Sequence, residues 1–170
     1  PMAEAIAMEG ISLVKTYLPQ VVADGANIES RQQMLVASTM GATAFQRGLG
    51  AMHALAHPLG AVYDAHHGLL NAILMPYVWK ANYKVIQKPI IRLARCLELA
   101  QNFDAFMDWV LALRTEIGIP HSLATIIDIE RFPEEIGSMA AVDPAASSNP
   151  VTFTPQQYQV ILEAAHRGSL

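Results

Sequence analysis

Apolar residues recur along almost the whole chain at the three- and four-residue intervals of an amphipathic helix. In the first segment, Ala7, Ile11, Val14 and Leu18 follow this spacing, which places them on one side of a helix. No stretch of the sequence alternates apolar and polar positions in the way that a half-buried strand does. The pattern therefore predicts an all-α, bundle-like fold with helices at about 3–19, 28–47, 51–63, 68–83, 87–99, 102–117, 131–141 and 154–167.

Polar residues and prolines mark several of the predicted helix starts. Asn27 or Ser30 is a suitable N-cap for the second helix, because either side chain can accept a hydrogen bond from the backbone of a first turn. Pro89 and Pro155 stand where the fifth and eighth helices are predicted to begin. Proline is tolerated there, since its missing N–H would have no partner in a first turn.

The chain is poor in charge for its length. Its 170 residues are 52% hydrophobic and only 15% charged, whereas charged residues make up roughly 25% of a typical soluble domain. The length suits one domain with a sizeable core. We expect part of the surface to be covered by another domain or subunit, and hence a homo-oligomer such as a dimer.

Charge and cysteine content exclude several classes of partner. The net charge of −4 and the scattered Lys and Arg residues argue against binding to nucleic acid. No apolar run reaches the ~20 residues that a membrane span needs. The single cysteine, Cys96, cannot form an internal disulfide and fits the reducing cytoplasm. Because Cys96 lies in the helical segment "IIRLARCLELA", a buried thiol is expected.

Four of the six histidines lie in "GAMHALAHPLGAVYDAHHGLLNAILMPYV", at positions 53, 57, 66 and 67. His53 and His57 are four residues apart, so they share one face of a helix and form a possible half-site for zinc or iron. A turn follows, and a returning helix could bring His67 back beside His53. A lone histidine on an apolar helix is more often a hydrogen-bonded core or interface residue. Composition alone therefore leaves the metal-binding and structural interpretations about equally open.

The other candidate residues are weaker. Asp64 could be a further ligand, but a turn role is favoured, because Asp bonds readily to nearby backbone in turns. His121 and His166 have no partners in the sequence and are expected to be structural or at the surface. The motifs G-x-S-x-G, H-E-x-x-H, C-x-x-C, the P-loop and G-x-G-x-x-G do not occur. The sequence therefore contains no visible dinucleotide-binding unit.

The histidine segment resembles the signature of the iron-containing (metal-dependent) alcohol dehydrogenase family. Members carry H-x-x-x-[AS]-H-P-L-G or a close variant, followed by an H-G that opens the next helix. The matching residues are His53, His57-Pro58-Leu59-Gly60 and His67-Gly68. His66 departs from the proline often found before the second of these histidines. The resemblance covers essentially the whole chain, from "PMAEAIAMEGISLV" to "DPAASSNPVTFTPQQYQVILEAA".

The resemblance implies a two-domain enzyme with the active site in the cleft between the domains. Its N-terminal α/β domain binds NAD or NADP, and its C-terminal all-α domain holds the metal. Residues 1–170 are then expected to be the C-terminal domain, truncated on its N-terminal side and lacking the dinucleotide-binding domain.

The resemblance also assigns the site residues. It implies that His53 and His67 bind Fe²⁺ or Zn²⁺, whereas His57 faces the nicotinamide and the substrate and relays the alcohol proton. This replaces the pairing of His53 with His57 that spacing alone suggests. The family's other two ligands are an Asp and a His four residues later. No Asp-x-x-x-His occurs here, so two of four protein ligands are expected.

By resemblance, the parent protein interconverts a small alcohol and its aldehyde or ketone by metal-assisted hydride transfer to NAD or NADP. The isolated chain is expected to be inactive. Two other interpretations stay open: a non-catalytic helical interaction domain and an independent metal-binding module.

Overall fold

The computed structural model describes residues 1–128 and 132–170, which are helices joined by loops and turns. The α-helices are α1 (Met2–Ala23), α2 (Ile28–Ala44), α3 (Gly50–Tyr63), α4 (His67–Cys96), α5 (Phe103–Glu116), α6 (Glu134–Val142) and α7 (Pro155–Arg167). Short 3-10 helices cover Phe45–Arg47, Leu123–Thr125 and Pro144–Ser148. No strand occurs in the described ranges, which confirms the all-α class. Residue 131, the predicted start of the seventh helix, lies outside those ranges.

The prediction of separate helices at 68–83 and 87–99 is wrong, because α4 runs unbroken through Pro89. An internal proline removes one backbone hydrogen bond and costs roughly 3 kcal/mol. Beyond it, Ile90, Leu93 and Leu97 keep helical spacing and are buried. Burying three aliphatic side chains contributes roughly 1.5–3 kcal/mol each, which exceeds that cost.

The chain divides into two compact units. Unit 1 comprises residues 1–47 and 88–109, and unit 2 comprises residues 48–87 and 110–170. Both α4 and α5 therefore contribute residues to each unit.

Unit 1 is built on the hairpin of α1 and α2. A Cβ at Gly10 would lie 3.2 Å from the Met40 Cβ, so the glycine lets the two helices approach closely. Asn27 is the N-cap of α2, accepting from the Ser30 N–H at 3.0 Å, which confirms one of the two predicted caps. The prediction of a buried Cys96 thiol is wrong, because that residue is exposed. Leu93 and Leu97 occupy the buried face of this helix end instead.

Unit 2 holds an aliphatic and aromatic core contributed by α3, α4, α6, α7 and the segments between them. Fully buried members are Leu55, Leu59, Leu70, Leu74, Leu123, Phe132, Ile136, Tyr158 and Leu162. Helices α6 and α7 meet at Gly137, where a Cβ would lie 2.5 Å from the Pro155 carbonyl oxygen. This glycine is therefore required by packing and not by backbone conformation.

Across the described part of the chain, no helix combines the length and hydropathy that would let it cross a membrane.

Candidate functional site

The histidine segment folds as a helical hairpin within unit 2. Helix α3 carries His53 and His57, and α4 begins at His67. Asp64 ends α3 in the left-handed conformation, with φ of 51°, which confirms its turn role. His66 Nδ1 accepts a hydrogen bond from the Leu69 N–H at 3.3 Å and so caps the first turn of α4. The hairpin thus brings His67 back towards the two histidines of α3.

Three imidazoles converge at this junction. The ring centres are 5.9 Å apart for His53 and His57, 5.3 Å for His53 and His67, and 5.5 Å for His57 and His67. All three rings therefore lie within one small volume. The angle between the ring planes differs from pair to pair, and this angle limits which two rings can bind the same ion.

The spacing of His53 and His67 suits a shared metal ion. Two imidazoles on one tetrahedral ion, with metal–nitrogen distances of about 2.1 Å, have ring centres about 5 Å apart. The planes of His53 and His67 are inclined at 53°. His57 and His67 instead stack, with their planes at 11°. Because an ion lies near the plane of each ring that binds it, a stacked pair cannot readily point at the same ion.

His57 is held by a carboxylate that the sequence did not reveal. Its Nδ1 lies 2.9 Å from Asp143 Oδ2. The other carboxylate oxygen, Oδ1, accepts from the Ala145 N–H at 2.8 Å and caps the short helix Pro144–Ser148. The only local signal was the sequence "DPAASSNP", which resembles an ordinary turn. Asp143 reaches His57 only through the tertiary fold.

His67 has a polar neighbour one turn along α4. The Asn71 side-chain amide lies 3.1 Å from His67 Nε2 and also donates to the His67 carbonyl oxygen at 3.0 Å. In this arrangement Nε2 accepts the amide hydrogen. A metal ion bound at Nε2 would have to replace that hydrogen bond, whereas the bond to the carbonyl could remain.

His53 has a shifted pKa. Its pKa is lowered below 6.5, first by burial and then by the adjacent His67 and His57. The backbone of Leu49 and the carboxylate of Asp143 act in the opposite direction. A lowered pKa keeps the imidazole neutral, and the neutral form is the one that can bind a metal.

Side chains from a distant part of the sequence cap the start of α3. Ser148 Oγ accepts from the Gly50 N–H at 3.0 Å, and Asn149 Oδ1 accepts from the Ala51 N–H at 3.1 Å. Leu49, the residue before the helix, provides no side-chain cap of its own. The segment that carries Asp143 therefore also anchors the helix that carries His53 and His57.

His121 and His166 make other contacts in unit 2. His121 Nε2 lies 3.0 Å from Thr115 Oγ1. The ring of His166 packs edge-on against Phe132, with the ring centres 5.2 Å apart. Both residues fit the structural role expected from the sequence.

Although three imidazoles converge, residues 1–128 and 132–170 contain no group of three or more His, Cys, Asp or Glu side chains arranged to hold a metal. Of the three rings, His53 and His67 lie at a mutual spacing that two ligands of one ion could have, while His57 is paired with Asp143.

The fold and the site define an all-helical protein in which three imidazoles meet at one helix junction. The sequence model for the C-terminal part of the Fe-containing alcohol dehydrogenase family matches residues 1–166. The chain therefore belongs to this family, which confirms the resemblance seen in the histidine pattern.

Relatives show how much of a family member the chain covers. It is 35% identical to the 1,3-propanediol dehydrogenase of Klebsiella pneumoniae, over 97% of this chain and 45% of that protein. It is 30% identical to the NAD-dependent methanol dehydrogenase of Bacillus methanolicus, with the chain covered to 97% and the relative to 45%. The iron-containing alcohol dehydrogenase from Thermococcus thioreducens superposes with a TM-score of 0.88 at 30% identity, over 99% of this chain and 45% of that one. The chain thus spans a little under half the length of these relatives.

Proposed function

We propose that this chain is the metal-binding part of an NAD(P)-dependent alcohol dehydrogenase that interconverts a small alcohol and its aldehyde or ketone. The observation that carries the proposal is the convergence of His53, His57 and His67 at one helix junction, in a chain of this family. Two of its relatives, a 1,3-propanediol dehydrogenase and an NAD-dependent methanol dehydrogenase, support the substrate class and the cofactor.

In this proposal, His53 and His67 bind a divalent ion, Fe²⁺ or Zn²⁺. Their ring separation of 5.3 Å and the inclination of their planes support this pairing. The ion, when bound, polarises the substrate oxygen and lowers the pKa of the alcohol. Burial of His53 favours the neutral imidazole that such binding requires.

His57 has a different role, in which it faces the nicotinamide and the substrate and moves a proton. Its Nδ1 is engaged by Asp143, so Nε2 is the nitrogen available to take the proton from the substrate hydroxyl. Histidine is suited to such transfer near neutral pH. The buried residues Ala54, Leu55 and Leu59 anchor α3 in the core of unit 2 and so hold His57 in place.

The remaining parts of the site come from residues outside this chain. We propose that an N-terminal dinucleotide-binding domain of the same protein supplies the NAD or NADP site, together with an Asp and a His that complete the metal coordination. Coverage of 45% of the relatives' length and the match to a C-terminal family model support this. A homo-oligomer in the cytoplasm belongs to the same proposal and rests on the low charge content and the single cysteine.

The test uses the full-length enzyme, with metal content measured alongside NAD(P)-linked oxidation of methanol and 1,3-propanediol. The double variant His53→Ala, His67→Ala should lose metal and activity together, whereas His57→Ala should keep the metal and lose rate. His121→Ala is the matched control and should keep both. Loss of metal in His57→Ala would show that spacing, and not the family resemblance, identifies the ligands. A parent that binds metal without oxidising any alcohol would instead favour an independent metal-binding module.

A further inference from the structure

The contact between His57 and Asp143 joins an exposed ring to a largely buried carboxylate. The side chains are 41% and 13% exposed, respectively. Asp143 Oδ2 lies 2.9 Å from His57 Nδ1, and Oδ1 accepts from the Ala145 N–H at 2.8 Å. Both carboxylate oxygens are therefore used, and the carboxylate is held from two directions.

An ionised carboxylate can only accept hydrogen bonds. The nitrogen of His57 that faces Asp143 must therefore carry a hydrogen. In the neutral imidazole the other nitrogen, Nε2, is then the one with a free lone pair. The contact thus determines which of the two tautomers His57 adopts.

The position of Asp143 is itself fixed. It begins the short helix Pro144–Ser148, and the residues that end this segment are bound to the start of α3. Ser148 Oγ accepts from the Gly50 N–H, and Asn149 Oδ1 accepts from the Ala51 N–H. These two hydrogen bonds therefore fix the segment that carries Asp143 relative to the helix that carries His57.

We propose that Asp143 is a positioning residue for His57, holding it as the Nδ1–H tautomer with Nε2 ready to accept a proton. This rests on the proposed function. When the alcohol reacts, its O–H bond breaks, the electron pair stays on the oxygen, and the proton moves to the Nε2 lone pair. Asp143 takes no proton and does not touch the substrate. It keeps the ring oriented and stabilises the positive charge that the ring then carries.

Two substitutions separate this role from the structural role of Asp143 as a helix cap. Asp143→Ser keeps an N-cap oxygen for the Ala145 N–H, because serine is a good cap, but its short side chain cannot reach His57. Asp143→Asn keeps the shape but can present either an oxygen or an N–H to His57. Asp143→Glu restores a carboxylate, and Asp104→Asn alters an exposed acid in the first turn of α5 as a control.

Steady-state kinetics of the full-length, metal-loaded enzyme are the first measurement. Asp143→Asn and Asp143→Ser should lower kcat by about 10- to 100-fold, which is part of the roughly 10²–10⁴-fold that a positioned acid–base group contributes. KM and metal content should stay near those of the parent. Asp143→Glu should recover part of kcat, and Asp104→Asn should match the parent.

The second measurement is independent of activity. In the zinc-loaded enzyme with ¹⁵N-labelled histidine, the His57 signals, assigned by comparison with His57→Ala, should show a protonated Nδ1 and a bare Nε2. Asp143→Asn and Asp143→Ser should give mixed or reversed tautomers. Unchanged tautomers, unchanged kcat, or loss of metal in these variants would each overturn the proposal. A parent with the expected tautomer but no alcohol oxidation would overturn the proposed function and, with it, the assigned purpose of the contact.

Discussion

Asn82 of α4 and Asn149 exchange two side-chain amide hydrogen bonds, of 3.1 Å and 2.9 Å. Asn149 also accepts from the Ala51 N–H at 3.1 Å and donates to the Val151 carbonyl at 2.8 Å. One side chain therefore connects the start of α3, the middle of α4 and the segment after Pro144–Ser148. Asn82 is buried, so water cannot easily replace these bonds.

Asn149→Ala should lower the free energy of unfolding of unit 2 by about 2–4 kcal/mol, because it leaves several buried polar groups without partners. Denaturant unfolding is followed by the fluorescence of Trp79, which lies in unit 2, in a Trp109→Phe background that removes the signal from unit 1. Gln156→Ala, at an exposed position, is the control. If the free energies of unfolding of Asn149→Ala and Gln156→Ala differed by less than about 0.5 kcal/mol, the usual range for surface substitutions, the amide pair would contribute little.

Gly137 and Gly41 both lie inside helices, and alanine should have opposite effects at the two positions. Alanine is favoured over glycine in a helix by about 1 kcal/mol. At Gly41 a Cβ meets nothing within 4 Å, so Gly41→Ala should stabilise unit 1 by about 0.5–1 kcal/mol. At Gly137 the Cβ would lie 2.5 Å from the Pro155 carbonyl oxygen, and Gly137→Ala should destabilise unit 2 by about 2 kcal/mol.

These two glycine variants are measured with the same pair of tryptophans, Trp109 for Gly41→Ala and Trp79 for Gly137→Ala. A stabilising Gly137→Ala would show that α6 and α7 can separate at little cost. It would contradict the close approach seen at Pro155.

The metal-free chain should lose stability on mild acidification through His53. The pKa of this imidazole is lowered below 6.5 by burial and by His67 and His57. Just below pH 6.5, the unfolded chain therefore binds a proton at His53 more readily than the folded chain does. The contribution of His53 to the free energy of unfolding is therefore fully present above pH 6.5. It is lost as the pH drops from 6.5 towards the lowered pKa. Unfolding midpoints compared at pH values of about 7.5 and 5.5 should fall less in His53→Gln than in the parent. An equal fall in both would disprove the link, and His121→Gln should behave as the parent does.

Arg114 is a buried charge with few partners. It is 3% exposed and donates from Nη2 to the Pro120 carbonyl oxygen at 2.6 Å. Among the described residues, none accepts a hydrogen bond from its Nε or Nη1. Burial lowers its pKa, and Tyr77 opposes this only in part.

Arg114→Met should therefore raise the free energy of unfolding by about 1 kcal/mol, because it replaces a poorly compensated buried cation with an apolar chain of similar length. Chemical denaturation measures the change. Arg92→Met provides the comparison, since the exposed pair of Arg92 with Glu4 should be worth no more than about 1 kcal/mol. A destabilised Arg114→Met would mean that the hydrogen bond to Pro120 outweighs the cost of burying the charge.

The isolated 170-residue chain should bind zinc weakly. His53 and His67 offer two imidazole nitrogens, and no carboxylate in the described ranges joins them in a ligand set. The charge of the ion would then stay largely uncompensated, so calorimetry should show no sub-micromolar zinc binding. Sub-micromolar, one-to-one binding that disappears in His53→Ala, His67→Ala would show that the chain holds a complete site.

Short-range patterns predicted the part of the site that is built from neighbouring residues. The turn at Asp64 and the return of His67 towards His53 follow from spacing and turn chemistry within 15 positions of the chain. The contacts of His57 with Asp143 and of α3 with Asn149 could not be predicted, because they join residues 86 and 98 positions apart. The unbroken α4 was missed for a related reason. The local cost of Pro89 is visible in the sequence, whereas the packing that outweighs it is not.

The two side chains that cap α3 lie 98 positions beyond the backbone groups that they bind. During synthesis at roughly 5–20 residues per second, α3 therefore emerges about 5–20 s before Ser148 and Asn149 are added. Throughout that interval its first N–H groups can be satisfied only by water or by transient partners. Completion of the capped helix, and of the contact between His57 and Asp143, is thus a late event in the life of the nascent chain.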